Sequence, residues 1–319
     1  MHTLVVVAVI LAAGAVITVI GARLIERAYP PRGRLVDIDG LRQHVVELGA
    51  GAPNNAPPLV LLHGAGCNLE DMRLALGDGL AARHRVILID RAGLGYSERT
   101  GRRGSSPAHQ AAVLRAVLDA LSVERAVIIG HSWGGALAVR FALDYPEHTA
   151  GLVLLAPPLY SLARHITWLY TALATPVAGW LFARTWALPL SLFAIGPGIA
   201  SAFLPQWPPR RYLSRAAALL LLRPRVFLAN AHDVADLAQN LPSQIARYAT
   251  LTAPTIVITG DCDLVVPPRQ HAIAFAAAVP AAKLVVIPGI GHMVHHAAKE
   301  RVIAEIEELI ANGGWRAAN

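Results

Sequence analysis

Six apolar runs, "LVLLHG", "RVILID", "RAVIIG", "GLVLLA", "TIVITG" and "KLVVIP", recur along the chain with no polar alternation inside them. A strand apolar on both faces cannot meet water on either, so these runs read as central strands of a parallel sheet covered by helices. Residues 107 to 121 and 133 to 145 carry helical periodicity between them, which makes the expected fold an open α/β sheet. Ahead of them, "RLVDIDG" and "LRQHVVEL" alternate apolar with polar and meet at Asp39-Gly40, a β-hairpin at the sheet edge.

One connection breaks this rhythm: about a hundred residues separate "GLVLLA" from "TIVITG", far beyond an ordinary loop. The interval holds Trp168, Trp180, Trp186 and Trp207 and is punctuated by Pro176, Pro189, Pro197 and "LPQWPPRRY". It reads as a helical insertion lying over the strand ends. With 319 residues, 55% hydrophobic and 15% charged, the chain can bury a large core and is too apolar for disorder. Its formal charge of +7 comes from scattered arginines, with lysine only at Lys283 and Lys299, a pattern that argues against nucleic-acid binding. Cys67 and Cys262 are too few for a disulfide framework and read as reduced thiols.

Leu4 to Ala22 is free of charge and just long enough to cross the hydrocarbon of a bilayer. Arg23, Arg27, Arg32 and Arg34 all follow the run, so the positive-inside rule expects a membrane anchor with the remaining chain on the cytoplasmic side. The alternative is export behind a signal peptide cut after Ala13-Gly14-Ala15, leaving a mature chain that starts near Val16.

In "VIIGHSWGGALA" a strand pattern stops and a helix pattern starts around Gly130-His131-Ser132-Trp133-Gly134, which fits G-x-S-x-G. Small neighbours permit a strained turn that lifts the serine hydroxyl above the sheet, with the helix amino end facing any oxyanion formed there. A serine needs a base and a group that orients the base. After the insertion, "TIVITGDCDLVVPP" ends a strand in two carboxylates, and "KLVVIPGIGHMVHH" ends the last one in a histidine, giving the order serine, acid, histidine.

With "LLHGAG" and "DRAGLGYS" added to these segments, the chain resembles the α/β-hydrolase superfamily, serine-nucleophile members with a helical cap, over roughly residues 34 to 312. The resemblance implies a mostly parallel sheet covered by helices, here preceded by a transmembrane helix. It divides the chain into an anchor at 1–27, core at 34–157, cap at 158–250, core again at 251–312 and a tail at 313–319. The family spacing, three residues after the glycine and four before the proline, selects Asp263 from Gly260 and Pro267 and leaves Asp261 as a loop carboxylate. Ser132, Asp263 and His292 are then the implied triad, and the backbone N–H groups of Ala65 and Trp133 the implied oxyanion hole. His295 and His296, with no paired acidic or cysteine ligands to accompany them, read as structural, and His131 and His63 as packing around the elbow and the oxyanion loop.

The implied function is hydrolysis of a carboxylic ester, or related acyl bond, of a lipophilic small molecule, with no cofactor and no metal. Relatives of this fold that attack with an aspartate do not match Ser132. Carbon-carbon bond hydrolases, cofactor-free haloperoxidases and proline iminopeptidases share the triad and stay open. So does a non-catalytic, membrane-anchored accessory protein, with a tetrapyrrole-related role one form of it.

Overall fold

The computed structural model describes residues 1–51, 56–161 and 164–313. Four residues of the loop before "LVLLHG" (52–55), two at the start of the insertion (162–163) and most of the tail (314–319) lie outside them. The sheet has eight strands: β1 Arg34–Ile38, β2 Leu41–Leu48, β3 Leu59–Leu62, β4 Val86–Ile89, β5 Ala126–His131, β6 Thr149–Leu155, β7 Thr255–Gly260 and β8 Ala282–Ile287. Their order is β1-β2-β4-β3-β5-β6-β7-β8. The hairpin pairs antiparallel, β2 pairs antiparallel with β4, and the rest of the sheet is parallel.

Burial on both faces explains the unbroken apolar runs. In β3, Val60 and Leu62 join one core cluster while Leu59 and Leu61 join the other. In β5, Ile128 faces the first and Val127 and Ile129 the second. Helices Pro107–Ala120 and Trp133–Asp144 cover the first face, and Lys299–Asn312 covers the second. One run departs from the expectation of a central strand. "KLVVIP" forms β8 at the edge of the sheet, where Val286 is exposed and no further strand pairs with it among the described residues.

Between β6 and β7 the chain is helical, with Arg164–Leu173, Ala178–Thr185, Ala187–Phe203 and Pro224–Ile245 as its longer members. The last of these ties the insertion to the sheet layer, since Leu237 and Leu241 sit in the same core cluster as β3 and β5. The helix His2–Ala28 is long and apolar enough to cross a membrane, and among the described residues it alone passes that test as one unbroken helix. Its carboxy-terminal half is docked: Thr18 Oγ1 donates to the Thr185 carbonyl at 2.6 Å, and Ile25 packs with Leu188, Leu220 and Leu222.

Candidate active site

Ser132 is the single residue between β5 and the helix Trp133–Asp144, with φ 49° and ψ −123°. A side-chain-bearing residue held there stores about 1–3 kcal/mol of strain, which its surroundings must over-determine. They do so by close approach. A Cβ on Gly130 would lie 2.3 Å from the Gly134 carbonyl oxygen, and one on Gly134 would lie 2.5 Å from that of Leu62. The Ser132 N–H donates to the Leu155 carbonyl on the neighbouring strand at 2.8 Å.

Beyond β7, the buried Asp263 accepts the Val265 and Val266 N–H groups on Oδ1 at 2.9 and 2.8 Å. Its Oδ2 lies 2.8 Å from His292 Nδ1, a contact the carboxylate accepts when Nδ1 carries the proton. Asp261 stays exposed and accepts the Gly289 N–H at 2.7 Å. Ser132 and His292 line one cavity of about 380 Å³. The Ser132 hydroxyl makes no hydrogen bond among the described residues; such contacts commonly tighten only when substrate is bound.

Ala65 and Trp133 line the same cavity, and their N–H groups donate to nothing among the described residues, whereas the next one, on Gly66, is taken by Asn230 Oδ1 at 2.6 Å. The loop carrying Ala65 is held by His63, whose Nδ1 donates to the Gly64 carbonyl while Nε2 accepts the Arg91 N–H. Burial, reinforced by the Arg91 charge, pushes His63 down to about 4, so the ring is neutral as these two bonds require. The Arg91 guanidinium lies 4.0 Å over the Trp133 ring and donates to Asp233 at 2.6 Å, and the Trp133 indole donates to the Asp233 carbonyl at 3.0 Å.

A family model described as alpha/beta hydrolase fold matches residues 57–298. The chain belongs to this family. A 2-hydroxy-6-oxononadienedioate/2-hydroxy-6-oxononatrienedioate hydrolase of Paraburkholderia phymatum is 43% identical over 118 residues, 36% of this chain and 40% of that protein. Haloalkane dehalogenase 2 of Mycobacterium bovis is 28% identical over 88% of this chain and 95% of its own. Among solved structures, an alpha/beta hydrolase fold protein from Burkholderia ambifaria superposes with a TM-score of 0.71 at 25% identity, covering 86% of this chain and 97% of its own.

In this α/β hydrolase the histidines after His292 have an acidic partner that sequence spacing does not show. Asp71 lies 3.0 Å from His295 Nε2 and 2.8 Å from His296 Nε2, and accepts the Tyr212 hydroxyl at 2.6 Å. The expectation that no carboxylate accompanies these histidines is therefore corrected: Asp71 is distant in sequence and arrives on the short helix Leu69–Met72. Asp71, His131 and His295 bring three potential ligand atoms within 4.8 Å of one another, but the Asp71 oxygens already accept from three donors. Burial works against the Asp71 charge, yet the two imidazoles beside it hold its carboxyl well below the usual range. His131 backs this cluster, its ring centroid 4.0 Å from that of His295, and burial keeps it neutral. Further along, His271 Nδ1 accepts the N–H groups of Leu159 and Tyr160, and burial holds it at about 4.

Asn230 and Asp233 belong to no sequence motif. With Asp236 they recur every third residue on the helix Pro224–Ile245, a buried polar row among apolar neighbours that periodicity alone could have marked.

Proposed function

We propose that this α/β hydrolase is a membrane-anchored serine hydrolase that cleaves the carboxylic ester, or a related acyl bond, of a lipophilic small molecule. In this reading His292 Nε2 takes the Ser132 proton as Oγ attacks the carbonyl carbon, while Asp263 holds the imidazole tautomer and stabilises the imidazolium. The Trp133 and Ala65 N–H groups receive the oxyanion, each worth about 3 kcal/mol in the barrier. His292 then protonates the leaving alcohol, and water repeats the sequence on the acyl-enzyme. The observation that carries the reading is the buried 2.8 Å Asp263–His292 pair, opening on the same cavity as a serine held at positive φ. Apolar groups, among them Ile195, Ile199, Phe203, Leu221 and Val266, make up most of the remaining lining, which suits a lipophilic acyl chain.

The helix His2–Ala28 is read as a retained anchor, with the arginines after Ala22 holding the catalytic domain on the cytoplasmic face. Cleavage near Val16 would leave Ile17, Val19, Ile20 and Leu24 exposed on a stub still bonded through Thr18, an arrangement that favours retention. Purified full-length protein assayed on p-nitrophenyl esters of graded chain length, beside Ser132→Ala, tests the activity. Turnover by the alanine variant at the wild-type rate would end the serine reading. The relative named as a 2-hydroxy-6-oxononadienedioate hydrolase supports one alternative, cleavage of a carbon-carbon bond by the same residues. Preference for such a dienedioate over every ester in the series would select it.

A further inference from the structure

If the run Leu4–Ala22 lies in hydrocarbon, its contacts fix how deep the rest of the molecule sits. Gly14 precedes Ala22 by eight residues, about 12 Å along a helix axis. At Gly14 the anchor is touched by the insertion: a Cβ there would lie 3.0 Å from both the Thr185 carbonyl oxygen and the Trp186 ring. Gly21 meets Leu188 in the same way, and the Thr18–Thr185 hydrogen bond joins the two contacts. A polar bond and close glycine packing of this kind are what hold helices together inside lipid. The corner between Ala178–Thr185 and Ala187–Phe203, bent by 79°, is therefore carried about 12 Å below the hydrocarbon boundary with the anchor.

The outward surfaces agree with that depth. Val177, Phe193 and Trp207 are 78%, 84% and 84% exposed, with Trp168, Leu190 and Leu192 among the other large apolar side chains uncovered on the same insertion. Large apolar side chains exposed in this number suit an interaction surface, and tryptophans suit the zone between headgroups and acyl chains. The helix Ala187–Phe203 divides two environments: Phe193 faces outward, while Ile195, Ile199 and Phe203 line the cavity that holds Ser132. Its segment Gly196-Pro197-Gly198 is thin. A Cβ at either glycine would meet no atom within 4 Å, and Gly198 itself borders the cavity.

We propose that the helical insertion is seated in one leaflet of the bilayer, and that an acyl ester dissolved in that leaflet reaches Ser132 laterally past Gly196–Gly198. This rests on the anchor and serine-hydrolase readings above. The occupant of the apolar face is lipid hydrocarbon, because the anchor docked against that face is itself a bilayer-length helix.

Full-length protein carrying a nitroxide at Phe193→Cys, in a Cys262→Ser background and reconstituted in phosphatidylcholine vesicles, tests the depth. Val9→Cys serves as the lipid control and Glu124→Cys, at the far end of the sheet, as the water control. Residue 193 should be relaxed by oxygen far more than by a water-soluble nickel complex, as residue 9 is, with residue 124 showing the reverse. Water-like relaxation at 193 beside lipid-like relaxation at 9 overturns the proposal and leaves the anchor standing. Water-like relaxation at both removes the anchor, and the proposal with it. For the route, Phe193→Asp should lower kcat/KM on a long-chain diacylglycerol in vesicles by about tenfold or more, because a carboxylate is costly in hydrocarbon. Turnover of water-soluble p-nitrophenyl acetate should stay at the wild-type level. Equal losses on the two substrates overturn the lateral route, and wild-type protein inert towards both removes the serine reading without touching the relaxation result.

Discussion

At the scale of single residues, two carboxylates two positions apart lead different lives. Asp263 is buried and bonded to His292, while Asp261 is exposed and caps the turn at Gly289. Asp263→Asn should cut kcat by about four decades through the wrong imidazole tautomer, and Asp261→Asn by less than about tenfold. Steady-state kinetics on both variants checks this, and the reverse ranking would move the acid. His63 and His271 yield a second prediction. Each takes its proton near 6.5 when unfolded and near 4 when folded, so between those values the unfolded chain binds more protons. Their contribution is fully present above about 6.5 and is lost as the pH falls towards 4, at about 1.4 kcal/mol per pH unit for each ring. Tm should therefore drop steadily from pH 7 to pH 5, and a flat profile would mean that these rings protonate within the fold. The proposed triad could be picked out in the sequence because each member follows a strand beside small residues. Asp71 was not, since what gives it meaning is contact with His295 and His296 more than two hundred residues away.

At the scale of elements, the helix Pro224–Ile245 is clamped to the core by a carboxylate shared between two guanidiniums. Asp233 receives Arg91 from the loop after β4 at 2.6 Å and also pairs with Arg99, all three buried. Removing one side of such a group leaves uncompensated charge, so Asp233→Ala should cost about 3–5 kcal/mol in chemical denaturation. Replacing all three groups with apolar residues of similar volume should be far milder. A loss under about 1 kcal/mol for Asp233→Ala would show that water reaches the arginines. The parallel strands could be read from composition because two-sided burial leaves no room for polar residues. The helices of the insertion could be recognised only as helices, since their pattern carries two apolar faces, one turned inward to the cavity and one outward.

Across the whole molecule, the amino-terminal helix packs as a structural part of the insertion, whatever its place in a membrane. Deleting residues through Ala28 removes Ile25 from its cluster and uncovers Leu188, Leu220 and Leu222, so a truncated chain is not expected to behave as a clean soluble domain. It should still sediment with vesicles or need detergent, and its insertion should be cleaved by protease faster than in the full chain. A monodisperse, detergent-free truncation with full protease resistance would show that the docking contributes little.

The Thr18–Thr185 bond spans 167 residues of sequence, which sets a schedule for making the protein. At about 5–20 residues per second, the amino-terminal helix, if it is the anchor proposed above, waits roughly 10–30 s in the bilayer before its partner leaves the ribosome. During that interval the Thr18 hydroxyl has only its own helix to bond, by turning back to the carbonyl four residues earlier. On the anchored reading proposed above, assembly of the insertion is then an event within the membrane plane, and a ribosome stalled before residue 185 would hold an inserted helix with its docking face bare.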